Sequence, residues 1–333
     1  MTRALRPDNI SAGLMRFVGN RIAAGDPAQR RLCILNYHRI MAHPDPLLDS
    51  EPTVDTFSWQ MDLLASCFNV LPLADAIERI AAGTLPPRAV AITFDDGYRS
   101  VHELALPVLR ERGLPATVFV TSGHIHDESS MWNDVILEAV RHLPVASTCI
   151  DLRDLGLDTY PMNNQQERKH SATLLTERCK YLRPPERRVM LDRLRELVQT
   201  DLSQHLMLTP DMLCELIARG VDIGGHTVSH PILARLDDDT AFREITDNKR
   251  DLEQIIGRPI TLFAYPNGKR GIDYEARHTR MVREAGYSAA FTTAMGAAVR
   301  SNDPFEFPRS RPWDTTALMF GGRLLQWLYD KTP

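Results

Sequence analysis

No stretch of this chain approaches the roughly eighteen consecutive apolar residues of a membrane-spanning helix. No secretion signal opens it either. Residues 1–30 carry Arg3, Arg6, Arg16, Arg21 and Arg30, and Asn, Asp and Gly interrupt any apolar core between them. The expectation is a cytoplasmic protein, with the inner face of the membrane as the alternative station. Cysteine is scarce and unpatterned. Cys33, Cys67, Cys149, Cys179 and Cys214 include no Cys-x-x-Cys, which argues against a disulfide framework and for a reducing compartment. Cys33 lies in a strand-like run and Cys67 at a helix-like position, so packing is the expected role of both. A basic excess is missing as well: 39 Lys and Arg face 43 Asp and Glu, for a net charge of -4. That balance excludes the cationic stripe of a nucleic-acid binder. Repeats and low-complexity tracts are absent. What is present is 333 residues at 43% hydrophobic and 25% charged, the makeup of a packed globular chain.

Seven apolar runs read as strands: 32–37, 90–94, 116–121, 221–225, 260–265, 288–292 and 306–309. The first five are nearly continuous hydrophobic stretches, as where both faces of a parallel strand are covered. Helical patterns separate them. Phe57, Met61, Leu64 and Phe68 share one face; residues 101–112, 240–256 and 274–285 each stop at a glycine; Thr209-Pro210 opens a further helix. Alternating strands and helices predict an α/β fold, a distorted (β/α)7 TIM-like barrel, whose site belongs at the carboxyl ends of the strands. His38, Asp95, Asp96, Ser122, His226, Tyr265, Thr293 and Arg309 all fall at those ends. Residues 1–31 form an N-terminal helical extension in this scheme, with residues 10–24 an amphipathic helix packed on its own domain or touching a membrane surface. The barrel domain occupies 32–333. Residues 124–220 exceed one strand-to-strand connection and predict a helical insertion over the rim, a wall of the substrate groove or a dimer contact.

Chemistry concentrates in short pieces after the strands. Residues 89–97, Ala-Val-Ala-Ile-Thr-Phe-Asp-Asp-Gly, end in two adjacent carboxylates. Residues 221–230 bring two imidazoles, His226 and His230, after Gly224-Gly225. One carboxylate, Asp96, and the two histidines make three N/O ligands and leave positions open on a metal, as catalytic zinc sites do. The other, Asp95, stays free to take a proton from metal-activated water, whose pKa falls from about 15.7 to roughly 7. The turn Pro266-Asn267-Gly268 can present a backbone N–H at the rim to an oxyanion. Arg309, ending the last strand, can pair with Asp95 and keep it ionised. Trp132 and Trp313 are candidate sugar-stacking surfaces.

These residues resemble the polysaccharide deacetylase family, the carbohydrate esterases that share the NodB homology domain. Thr93-Phe94-Asp95-Asp96-Gly97 resembles the family's first motif, and His226-Thr227-Val228-Ser229-His230 the second. Residues 263–268, Phe-Ala-Tyr-Pro-Asn-Gly, resemble the third in the form of the exopolysaccharide-linked members, and residues 36–39, Asn-Tyr-His-Arg, the first strand of those same members. The resemblance implies Asp95 as general base and Asp96, His226 and His230 as ligands of a divalent metal, zinc first, with cobalt or nickel as alternatives. It implies the Tyr265 backbone N–H as an oxyanion donor. The family's late Leu-x-His acid has no counterpart, since His278 is the last histidine and lies on a predicted helix. His38 is the first candidate for the acid, or a partner orienting a ligand; His124 and His126 follow. The implied reaction removes N-acetyl groups from aminosugars of a bacterial exopolysaccharide or surface-glycan precursor. The partner is then an N-acetylated glycan or lipid-linked sugar, not nucleic acid. Deacylation or deformylation of a lipid-linked aminosugar, and a turnover-dead glycan-binding barrel, are the alternatives.

Overall fold

The computed structural model describes residues 13, 15, 17, 19–21, 26–126, 130–144, 147–198, 205–311 and 314–329. Strand β1 (Leu32–Tyr37) is followed by α1 (Val54–Cys67), a short β2 (Asn69–Val70), α2 (Leu73–Ala82) and β3 (Ala89–Phe94). Then come α3 (a π-turn at Val101–Ala105 running into Leu106–Glu111) and β4 (Ala116–Val120). The insertion adds α4 (Trp132–His142), a hairpin of β5 (Cys149–Asp151) and β6 (Thr159–Pro161), α5 (Gln165–Lys180) and α6 (Pro184–Val198). The chain returns through α7 (Pro210–Ala218), β7 (Val221–Gly225), α8 (Asp238–Ile256), β8 (Leu262–Ala264), α9 (Ala276–Glu284), β9 (Ala289–Phe291) and α10 (Ala317–Tyr329).

The strands lie in the order β1-β3-β4-β7-β8-β9, every neighbouring pair parallel, with β2 paired to the start of β3. The seam between β9 and β1 is closed by residues 307–310. Phe307 bridges Phe291, and Ser310 bridges Leu35, both parallel. The sequence predicts a seventh strand at 306–309; the structure has isolated bridges there instead. Pro308 has no N–H to give a ladder, so pairing is confined to Phe307 and Ser310. The result is a curled, mostly parallel sheet with helices outside it, a distorted (β/α)7 barrel.

Side chains alternate across each strand, and the parity decides what faces inward. Leu32, Ile34, Ala89, Ala91, Phe119, Leu262, Ala264, Ala289, Phe291 and Phe307 form one buried cluster. Their strand partners at odd register, among them Leu35, Val90, Ile92 and Val118, pack in another cluster with the surrounding helices. Extending the inward rows by two or four residues reaches Asn36 and His38 on β1, Thr93 and Asp95 on β3, and Arg309 on the closing segment. The apolar floor of the barrel thus turns polar at the carboxyl ends.

The insertion has a core of its own, with Ile136, Leu152, Leu175 and Leu194 fully buried. It ends earlier than its predicted limit at residue 220, because α7 packs against β7 and α8 as a barrel helix. Of the N-terminal extension, the described residues from Gly13 to Arg21 are helical, and Met15 is buried against Gly321 of α10. None of the five cysteines forms a disulfide, and Cys33 and Cys67 are buried.

His278 contributes to stability rather than to the rim. It is buried in the first turn of α9, where its Nδ1 accepts the Glu275 N–H at 2.8 Å. Burial, aided by neighbouring Arg277, pushes its imidazole down to about 4. The folded state therefore takes up this proton less readily than the unfolded chain, whose histidine titrates near 6.5. Stability is expected to fall as pH drops from about 7 towards 4, by at most roughly 1.4 kcal/mol per pH unit from this group. Urea unfolding at several pH values should show a steeper loss in the wild type than in His278→Gln.

Candidate active site

A cavity of about 580 Å³ opens at the carboxyl ends of the strands. Barrel residues Asn36, His38, Asp95, Asp96, His226 and His230 line its floor. Trp132, Thr176, Glu177 and Lys180 of the insertion stand over it. The insertion thus contributes one side of the cavity.

Asp96, His226 and His230 converge although they come from two separate loops. Asp96 Oδ1 lies 3.4 Å from His226 Nε2 and 3.4 Å from His230 Nε2. Two ligands held about 2.0–2.1 Å from a tetrahedral ion lie roughly 3.3–3.4 Å apart, so this spacing fits one shared cation. Asp96 Oδ1 is buried and makes no hydrogen bond. Such an orphan is costly unless a cation completes it. His226 Nδ1 faces the Ala264 carbonyl at 2.7 Å. That contact fixes the N–H on Nδ1 and leaves the Nε2 lone pair facing Asp96. Burial pushes the His230 imidazole down to about 3, which keeps it neutral and able to ligate. Burial would lower His226 too, but Asp95 and Asp96 hold it above its ordinary value. The donor set fits a divalent metal.

Asp95 points the other way, at Arg309. The guanidinium donates Nη1–H to Oδ1 at 2.7 Å and Nη2–H to Oδ2 at 2.8 Å, a bidentate pair with both partners buried. Arg309 is itself fixed by Thr93 Oγ1 at 3.3 Å and the Thr292 carbonyl at 3.2 Å. Burial would raise the Asp95 carboxyl, but Arg309, with His226 and His38 nearby, holds it below the usual carboxylate range. Each oxygen keeps a further acceptor position beyond its bond to Arg309.

Backbone strain gathers at the same place. Of five non-glycine residues with positive φ among those described, four lie in these loops: Asp96 at 73°, Thr227 at 67°, His230 at 53° and Asn267 at 60°. For β-branched Thr227 this is a true outlier. Such residues cost on the order of 1–3 kcal/mol each and persist where the surroundings over-determine them. Here the surroundings are α8. Asn248 accepts the His226 N–H at 3.0 Å and donates to the carbonyls of Val120 and Thr227 at 3.0 and 2.6 Å. One turn earlier, Glu244 takes the N–H groups of Val228 and Ser229 and the Ser229 hydroxyl. Gly225 leaves room for this clamp: a Cβ there would lie 2.6 Å from Asn248 Oδ1 and 2.3 Å from the Tyr287 hydroxyl.

Neither Glu244 nor Asn248 is identified by sequence motifs. Their spacing of four on one helical face is the available signal, and it points at no particular loop. Asn248→Ala removes one hydrogen bond from each of three buried backbone groups, which keep only the His226 N–H to Val120 carbonyl bond and the Ser122 N–H to Thr227 carbonyl bond. Its expected cost is about 2–4 kcal/mol of stability in urea, and a metal affinity weaker by about ten- to a hundredfold in a titration.

Other candidates from sequence fall differently. The Tyr265 backbone N–H is already bonded to the Phe291 carbonyl at 3.1 Å, and its ring is buried, stacked on Tyr274 at 4.0 Å. It cannot face an oxyanion, because β8 uses that N–H in the barrel ladder. Two residues on, Asn267 lines the cavity, and its backbone N–H has no acceptor among the described residues. His38 lines the cavity with its Nδ1 buried and without a hydrogen bond. His124 and His126 do not line it. Trp132 does, beneath the Arg187 guanidinium at 4.8 Å. Trp313 lies outside the described residues.

The profile of the polysaccharide deacetylase family matches residues 82–290. A poly-beta-1,6-N-acetyl-D-glucosamine N-deacetylase of Staphylococcus aureus is 40% identical over 47 residues, 14% of this chain and 16% of that one. The matched stretches span 16–36% of the length of the first curated relatives. The Streptococcus pyogenes deacetylase PplD, solved with acetate, superposes with a TM-score of 0.58 at 19% identity, over 90% of this chain and 99% of that one. IcaB from Ammonifex degensii superposes with a TM-score of 0.58 at 18% identity, over 90% and 98%. At these identities the two structures speak for the fold.

Proposed function

The chain belongs to the polysaccharide deacetylase family, and from that premise we propose that it is a metal-dependent hydrolase releasing acetate from N-acetylated aminosugars of an exopolysaccharide or surface-glycan precursor. The observation that carries this reading is Asp96 Oδ1 set 3.4 Å from two imidazole Nε2 atoms, beside an Asp95 carboxylate aimed by Arg309.

Asp96, His226 and His230 would hold a divalent ion, zinc by preference for two imidazoles and a carboxylate, with cobalt and nickel able to replace it. An ion held there would supply Lewis acidity toward the acetamido carbonyl and toward water. Asp95 is the base that takes the proton from the attacking water. Arg309 keeps it ionised and in one orientation, and the low basicity that results eases return of the proton. The Asn267 N–H is the candidate donor to the oxyanion. His38 is the candidate donor to the departing amine. Trp132 and its neighbours from the insertion shape the entrance for a sugar.

Zinc-loaded protein offered N-acetylated and N-formylated glucosamine oligosaccharides, with acetate and formate measured separately, tests the proposal. Acetate release that a chelator abolishes and zinc restores is expected. Formate alone would place the enzyme among deformylases. Neither acid, with tight glycan binding, would make the barrel a binding protein.

A further inference from the structure

A groove of about 960 Å³ lies beside the active-site cavity and shares Met295 with it. One wall is the segment leading into β1, with Arg30 and Arg31. The other is the loop after β9, with Arg300, and Trp327 of α10 also lines the groove. That loop leaves the rim at Thr293 and runs back along β1 until Ala298 and Leu32 exchange both backbone hydrogen bonds, at 2.8 and 3.0 Å. The groove therefore extends from the rim to the opposite end of β1, which at about 3.3 Å per residue is roughly 20 Å away.

Its charge is one-sided within a chain whose net charge is -4. Arg31 and Arg300 form no ion pair among the described residues. Among the described lining residues, Glu306 is the sole carboxylate, and it is engaged by Arg270 at 3.0 Å and the Tyr274 hydroxyl at 3.1 Å. Two guanidinium forks that line one groove without carboxylate partners among the described residues match the several oxygens of a phosphoryl group better than a single sugar hydroxyl.

We propose that this groove is an anion subsite that takes a phosphate or diphosphate borne by the glycan, several sugar units from the reacting acetamido group. The substrate class is then a phosphoryl-bearing aminosugar oligosaccharide, not a neutral polymer. This rests on the deacetylase reading above.

The test compares zinc-loaded wild type with Arg31→Gln/Arg300→Gln on four forms of one N-acetylglucosamine tetrasaccharide. One is neutral, one carries a reducing-end phosphate, one a reducing-end carboxylate, and one a polyisoprenyl diphosphate in detergent micelles. In the wild type the phosphate form should have a KM lower by about tenfold than the neutral form, with kcat alike and the advantage shrinking in high salt. The double variant should erase that advantage and leave neutral turnover unchanged. A gain for both phosphorylated forms marks recognition of the phosphoryl group itself; a gain for the micellar form alone marks a lipid-borne source. Equal KM for the neutral form and both phosphorylated forms, an equal gain for the carboxylate, or an advantage that survives in the double variant overturns the proposal. Calorimetric titration of both proteins with glucose 1-phosphate separates the two readings. Binding confined to the wild type supports the groove even if no substrate releases acetate, and equal affinities sink it even in an active deacetylase.

Discussion

Asp95→Asn is expected to cut turnover by about a thousandfold while metal content stays near that of the wild type. The carboxylate is the one group in the cavity that combines a depressed pKa, a fixed orientation and a place beside the three candidate ligands. An amide of the same shape keeps a contact to Arg309 and cannot accept a proton. The substitution also leaves a buried guanidinium without its counter-charge, which costs on the order of 3–5 kcal/mol. Lost activity could therefore be mistaken for lost folding. Asp95→Asn/Arg309→Met separates the two, because removing both charges relieves the unpaired one. The double variant should regain stability in urea relative to Asp95→Asn and regain no turnover. Near-normal rates in Asp95→Asn would show that some other group takes the proton.

His230→Ala should lose metal and activity together. Two of three ligand atoms would remain, and metal affinity should fall by more than about a hundredfold, beyond what loss of a supporting hydrogen bond costs. The metal-free variant should fold as well as the metal-free wild type, since the His230 ring lines the cavity and its Nδ1 makes no hydrogen bond. Metal analysis after dialysis, alongside acetate release, reads both effects. Full metal content with normal activity would remove His230 from the ligand set.

The barrel was legible because its strands are short, apolar and bounded by turn residues, and because parity carries Asp95 and Arg309 to the same interior. The candidate metal ligands were legible because carboxylate and imidazoles sit immediately after buried strands, where the fold has no use for them in packing. Other features depended on contacts between distant segments. The Tyr265 N–H looks available in the sequence, and only the register of β8 against β9 shows it to be occupied. Asn248 reads as one polar residue on a charged helix until α8 docks against the loop that carries His226. Helix α2 was within reach, since Leu73, Ala76 and Ile80 share a face ahead of Gly83; its shortness between two strand-like runs hides it. The final run reads as a strand in the sequence, yet beside Pro308 it pairs at two points rather than as a ladder.

The central claim is that Asp96, His226 and His230 grip one cation. Crystals of the zinc-loaded protein, with anomalous scattering recorded on both sides of the zinc edge, test it most directly. The expected result is one strong peak within about 2.0–2.2 Å of Asp96 Oδ1 and of both Nε2 atoms. A peak elsewhere in the protein, or none among these three side chains at full zinc loading, would contradict it.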